Sequence, residues 1–374
     1  MNAAELIPKL RGYMSVADVK MGVRFIILKG MINNPQSQNI QTIRTLVKEA
    51  GLTPFFEHSH DSADTAHTLK IGLFRMRKVK QRFWLNWLLL GITVITTTLA
   101  GSVWFGADIL SNPLLVYKGL PFAGALLLIL GSHELGHYFA CRHYGMQATP
   151  PFFIPFLPFF IVKYAGQLTL IPFFGTMGAV IRMGITPNRR ALIRVGVAGP
   201  IVGFIVAIPV TIAGLALSEY VPGIDGGLSF SEPLVFKGLM WVVDLFRQVK
   251  PAEGMILTIH PVALAGWIGF LITSLNLLPL SQLDGGHISY GVFGKKRIWL
   301  TIGTYALMVA AIIYTFMEYQ QPSVWLVWGG LTLLLGFKHP PSEDEITPLS
   351  RGDIFLAAVA LGILILTVMP VPIR

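Results

Sequence analysis

"GLPFAGALLLILGSHELGHYFACRH", residues 119–143, decides how the rest of the chain is read. It is apolar and long enough to cross a bilayer, which takes roughly 20 residues. Yet His133, Glu134 and His137 stand in its second half. Ionisable groups at membrane depth are costly and mark function where they persist. His133 and His137 are four apart, so on a helix both imidazoles share one face and suit a single metal ion. Glu134 follows the first histidine directly, placed to act as a base toward a bound water. A catalytic zinc takes three protein ligands and keeps one position open, so one ligand must come from elsewhere.

The composition agrees with a membrane setting. The chain has 374 residues, of which 53% are hydrophobic and only 13% charged, with a mean hydropathy of +0.63. Soluble domains carry about 25% charged residues, so the expected class is a polytopic α-helical membrane protein. The net charge of +10 reads as membrane topology. No basic face on a soluble module is visible, so no nucleic-acid partner is expected. Cys141 is the single cysteine, which excludes an intrachain disulfide and a cysteine-held cluster; packing is its expected role. Residues 1–20 lack the basic-then-apolar order of a signal peptide.

Residues 1–73 read as a small soluble α/β domain. "GVRFIILKG" (22–30), "LTPFFEHS" and "TLKIGLF" look like strands, and "IQTIRTLVKEAG" (40–51) has helical periodicity. His58, His60 and His67 fall in "EHSHDSADTAH" (57–67), read as a polar loop rather than a second metal site. A basic linker, 74–82, abuts the first apolar span, 83–105. Further spans are expected near 119–143, 192–217, 261–281, 298–317, 323–337 and 353–370, six to seven crossings in all. The positive-inside rule puts the N-terminal domain in the cytoplasm, and alternation then brings Arg142, Arg189, Arg190, Arg194 and the basic residues at 295–297 to the same side. "SEDE" after residue 341 adds no such support. Residues 145–188 fit no span, being apolar but broken by proline and glycine. "GQLTLIPFFGTMGAVIRMG" within them reads as two strands around a glycine-rich turn, a re-entrant or interfacial β-hairpin beside the metal site.

The remaining ligand candidates are His143, His260, His287, His339 and the few carboxylates at span ends. "NLLPLSQLDGGHISYG" (276–291) stands out. Asp284, Gly285 and Gly286 would form a turn aiming a carboxylate back into the bundle, with His287 as competitor. Gly199 and Gly203 in "AGPIVG" form a G-x-x-x-G pair that lets helices approach, and Pro200 is expected to bend that span.

The pair HELGH and N-x-x-P-x-x-x-x-D-G-G-H (Asn276, Pro279, Asp284, Gly285, Gly286, His287) resembles the site-2 protease family of intramembrane zinc metalloproteases. "GTMGAVIRM", "PNRRAL" and "VAGPIVGFIVA" look like its cyanobacterial and plastid branch. The resemblance covers about residues 83–294, and neither a PDZ nor a CBS domain is legible. It implies a three-helix core within 119–294 and one Zn2+ held by His133, His137 and Asp284. It further implies Glu134 as general base and Asn276 on the substrate backbone. Apart from the resemblance, Gly175, Thr176, Gly178 and Ala179 of the hairpin are expected to bind the substrate as an added, extended strand. The implied activity is hydrolysis of peptide bonds within or near membrane spans, either to release membrane-held regulators or to clear signal-peptide remnants. Expected partners are single-span membrane proteins and the lipid bilayer, in a bacterial plasma membrane with the site opening to the cytoplasm. The alternative is a non-proteolytic membrane metal-binding protein or transporter.

Overall fold

The computed structural model describes residues 3–22, 25–33, 38–58, 67–72, 81–164, 167–222, 230–247, 254–320, 323–334, 336–337 and 339–372. The linker at 74–82 and His60 lie largely or wholly outside them.

The first elements are α1 (Ala3–Leu10), β1 (Met14–Met21), β2 (Phe25–Ile32), α2 (Gln38–Glu49), β3 (Thr53–His58) and β4 (His67–Gly72). The strands form one antiparallel sheet in the order β1-β2-β4-β3. Ile26 and Leu28 alternate on β2, as do Leu69 and Ile71 on β4; with Ile40, Ile43 and Val47 of α2 they close a core of their own. Strand β1 is not legible in sequence because most of it is exposed and has no apolar alternation.

Next come α3 (Phe83–Trp104), a 3-10 segment (Pro113–Gly119) and α4 (Leu120–His143). They are followed by β5 (Phe152–Pro155), β6 (Phe159–Tyr164), β7 (Gln167–Pro172) and β8 (Thr176–Val180). Then come α5 (Arg189–Ala216), β9 (Glu219–Pro222), α6 (Leu234–Phe246), β10 (Met255–Thr258) and α7 (Pro261–Leu277). The chain ends with α8 (Asp284–Phe293), a 3-10 turn, α9 (Ile298–Tyr319), α10 (Val324–Leu334) and α11 (Arg351–Thr367). Among the described residues, four helical stretches are long and apolar enough to cross a membrane: 83–104, 113–143, 189–216 and 284–319. The chain is thus a polytopic, mostly helical membrane protein.

Three departures from the sequence reading matter. The stretch 261–281 is not one helix. Helix α7 stops at Leu277, after 17 residues, or about 26 Å at the helical rise. An irregular link then leads to α8, with Ser281 at φ 45 and Thr301 of α9 donating to the Pro279 carbonyl at 2.9 Å. Asp284-Gly285-Gly286 is not a turn but the first turn of α8. The link makes the reversal, and the apolar run "NLLPLSQL" conceals it. Finally, the strands of 145–188 do not pair as a simple hairpin. β7 pairs with β6 and β8 with β5, giving nested ladders. Gly175 allows the change: at φ +72, a conformation costly for other residues, it presses on the Thr96 and Thr97 backbone of α3, where a Cβ would meet the Thr96 oxygen at 2.4 Å.

Helix α7 is buried on nearly every side, with Trp267, Phe270 and Ile268 in the largest core cluster. A helix apolar all round belongs in such a position. The Trp267 indole donates to the Ser231 carbonyl at 2.7 Å, leaving no orphaned donor there. Helices α4, α5 and α7 pack on one another around this core, and α8 lies against α5.

Candidate metal centre

Helix α4 presents His133 and His137 on one face, with ring centroids 4.9 Å apart. Both are buried. Asp284 arrives from α8, its Oδ2 3.2 Å from His133 Nε2 and its Oδ1 3.2 Å from His137 Nε2. The two Nε2 atoms are 3.1 Å apart. Tetrahedral zinc with bonds of about 2.0–2.1 Å spaces its ligands about 3.3 Å apart, so the triangle has the dimensions of such a site. Two imidazoles and a carboxylate are also the donor types that a zinc site takes. This is the one group of three such donors found together among the described residues.

The chain's own packing makes room for the rings. A Cβ on Gly199 would sit 2.1 Å from His137 Nε2, and a Cβ on Gly203 would sit 3.1 Å from His133 Nδ1. The G-x-x-x-G pair of α5 is therefore a cradle for the two histidines as well as a helix contact. Its sequence signal is the same for both roles. His137 Nδ1 donates to the Val195 carbonyl of α5 at 2.7 Å. That bond places the ring proton on Nδ1 and leaves the Nε2 lone pair for a metal. Gly285 is equally constrained, because a Cβ there would lie 2.0 Å from the Leu277 oxygen. Only glycine lets the first turn of α8 press on the end of α7 and carry Asp284 inward.

Glu134 is buried on the same helix, close to the backbone N–H of Ile181, just past β8. Asn276 of α7 stands beside the triangle, its amide Nδ2 3.4 Å from His133 Nε2. The ribbon residues lie further into their own sheet. The Gly175 carbonyl accepts from Thr96 Oγ1 at 2.7 Å and from Phe156 N at 3.1 Å. The Thr176 hydroxyl donates to the Ile154 carbonyl at 2.9 Å and accepts from Gly178 N at 3.0 Å. Ala179 pairs with Phe153.

The other histidines among the described residues have places in the fold. His143 ends α4, its ring against Tyr144. His260 caps α7 by accepting from Val262 N. His58 and His67 are partners in the β3–β4 ladder. His287 turns away from the triangle and meets His339, with Nδ1 2.6 Å from its Nε2. Burial, then the neighbouring His287, lowers His339 to about 3, so its ring is neutral. Its Nδ1 donates to the Pro340 carbonyl, leaving Nε2 to accept from His287. Cys141 is buried among Met146, Ala148 and Val195, in an apolar packing position.

These features define a class: polytopic helical membrane proteins whose HExxH site is completed by an aspartate from a later helix. Within that class the chain belongs to peptidase family M50, the site-2 protease family, whose profile matches residues 121–317. It is similar to "Probable zinc metalloprotease EGY2, chloroplastic" of Arabidopsis thaliana, 28% identical over 71% of this chain and 45% of that one. It is similar to "Probable zinc metalloprotease EGY1, chloroplastic" of the same plant, at 29% over 68% and 44%. A third relative is "Probable zinc metalloprotease EGY3, chloroplastic" of Oryza sativa subsp. indica, at 28% over 67% and 42%. The chain spans less than half the length of these curated relatives. No solved structure matches it.

Proposed function

We propose that the protein is an intramembrane zinc endopeptidase, with His133, His137 and Asp284 as ligands and Glu134 as general base. The observation that carries this is the ligand triangle closed at 3.1–3.2 Å, with a buried carboxylate one residue from its first member. Bound there, zinc would supply Lewis acidity toward a water and the scissile carbonyl. Glu134 takes the proton of the attacking water and returns it to the leaving amine. His137 keeps its orientation through the Val195 carbonyl. The Asn276 amide, beside His133, is placed to hold a substrate carbonyl. The retained base separates this reading from a metal-binding protein without proteolysis.

The substrate class follows from depth. His137 is six residues from the end of α4, or ~9 Å at the helical rise, so the site lies within one leaflet. Arg142 at that end of α4 and Arg189 and Arg190 at the start of α5 favour a cytoplasmic opening. The α/β unit of residues 3–72 is then cytoplasmic and residues 145–188 form a re-entrant element. A bond cleaved at this depth belongs to a membrane-embedded segment, in a membrane-anchored protein or a signal-peptide remnant. Such a segment must unwind, leaving backbone groups unsatisfied at several kcal/mol each in lipid. An extended substrate recovers that cost by pairing with β8. The β5–β8 sheet has two strands among the described residues, and β8 leads to Ile181, whose N–H faces Glu134.

The test uses purified protein in proteoliposomes with a panel of single-span segments, read by mass spectrometry. Cleavage within or next to the span, absent in Glu134→Gln and blocked by a zinc chelator, is expected. Cleavage that survives Glu134→Gln, or no cleavage by zinc-loaded protein, would overturn the reading. A photo-crosslinker at the exposed Met177 of β8 should capture the segment in Glu134→Gln; no capture would remove the strand-pairing step.

A further inference from the structure

The segment between α10 and α11 is bonded to three parts of the molecule that are remote in sequence. Its residues 343–345 extend the α/β sheet at the edge of β3: Phe56 N donates to the Glu343 carbonyl at 2.8 Å and Glu345 N to the Phe56 carbonyl at 3.0 Å. Side chains strengthen this seam. The Glu343 carboxylate lies 2.9 Å from Lys48 Nζ and 3.4 Å from Arg44 Nε, both on α2. Glu343 N donates to the Thr186 carbonyl at 2.9 Å, just before α5. The same segment then reaches the metal-ligand helix. The His339 ring stacks on Tyr290 at 4.5 Å and accepts from His287. Tyr290 donates its hydroxyl proton to Glu345.

The first turn of α8 is thereby held from two sides. On one, Gly196 of α5 fits so closely that a Cβ would meet the His287 Cβ and the Asp284 backbone carbonyl oxygen at 3.3 Å. On the other stands His339. His287 is one turn from Asp284, so its ring contact fixes the rotation of the turn that aims the carboxylate. Residues behind a ligand set its geometry and affinity.

We propose that His339 is a positioning residue for Asp284, and that the 339–347 segment is a strap coupling the docked state of the N-terminal α/β unit to the metal centre. The proposal rests on the assignment of His133, His137 and Asp284 as zinc ligands. The strap gives the α/β unit a regulatory role: loosening its grip on Glu343 frees His339 and relaxes α8.

The experiment measures zinc alone, on the purified full chain in detergent, by chelator competition, with the melting temperature of the metal-free protein recorded in parallel. His339→Ala is expected to weaken zinc retention about tenfold or more. His339→Gln, which keeps an acceptor for His287, should restore most of it. Lys48→Glu acts from the far side of the strap, on a side chain 43% exposed; it should weaken retention about two- to tenfold with the metal-free melting unchanged. Zinc retention equal to wild type in all three variants overturns the proposal and leaves the ligand assignment standing. Weakening by His339→Ala without any by Lys48→Glu overturns the coupling to the α/β unit. Wild-type protein that holds no zinc overturns both this proposal and the ligand assignment. Should His339→Ala fail to fold, Lys48→Glu decides the coupling alone.

Discussion

Two glycine pairs lie near the candidate centre, and they do different work. Gly199 and Gly203 sit in a regular helix and matter for the space they leave, which the His137 and His133 rings fill. Gly175 and Gly178 sit in the β-ribbon and matter for conformation, with φ values of +72 and +105. Added side chains in the first pair strike the metal ligands. In the second pair they strain the backbone, and at Gly175 they also disturb the seat of the ribbon on α3. On the proposed function, the contrast separates metal binding, built on α4, α5 and α8, from substrate handling, assigned to the ribbon.

That separation can be broken in order of expected effect. Gly199→Ala puts a methyl 2.1 Å from His137 Nε2, and zinc content should fall to background with proteolysis lost alongside. Glu134→Gln should lower cleavage by about 10²–10⁴-fold while zinc content stays at the wild-type level. Loss of zinc in that variant would mean that Glu134 is a ligand rather than a base. Gly175→Ala meets both the left-handed φ and the Thr96 oxygen. A destabilisation of about 1–3 kcal/mol is expected in chemical or thermal unfolding, with reduced cleavage and unchanged zinc. Gly203→Ala, at 3.1 Å from the His133 ring, should weaken zinc retention measurably but less than Gly199→Ala. Gly178→Ala meets no atom within 4 Å, so only its φ opposes it. If Gly178→Ala removed zinc, the division between the two pairs would be wrong.

How much of this was legible in the sequence follows the same division. Helix α4 ends at His143, as expected from the length of its apolar run and the basic residues that close it. HELGH stands out on its own because ionisable residues are out of place in an apolar run; the residues alone leave Asp284 and His287 in competition, and only the family resemblance singles out Asp284. The break between α7 and α8 was hidden, since Leu278, Pro279 and Leu280 look like more of the same span. The pairing of β5 with β8 was hidden too. "FFIPFLPFF" is apolar without alternation, so no strand register can be read from it. Helix α6 falls between the expected spans 192–217 and 261–281, where no element is expected; its Trp241 and Phe246 are exposed and its Phe236 is buried. The strap was least legible. "KHPPSEDEITPLS" has no period, and its meaning depends on Lys48, Phe56 and Tyr290, which are far away in sequence.

The ligand triangle can be checked through the zinc content of freshly purified protein beside His137→Ala and Asp284→Ala. The wild type should hold about one zinc per chain, the stoichiometry of a single catalytic site, with loss or strong reduction in both variants. Full zinc in Asp284→Ala would contradict it and return His287 to consideration as the third ligand. No zinc in folded wild-type protein would contradict the metal centre itself.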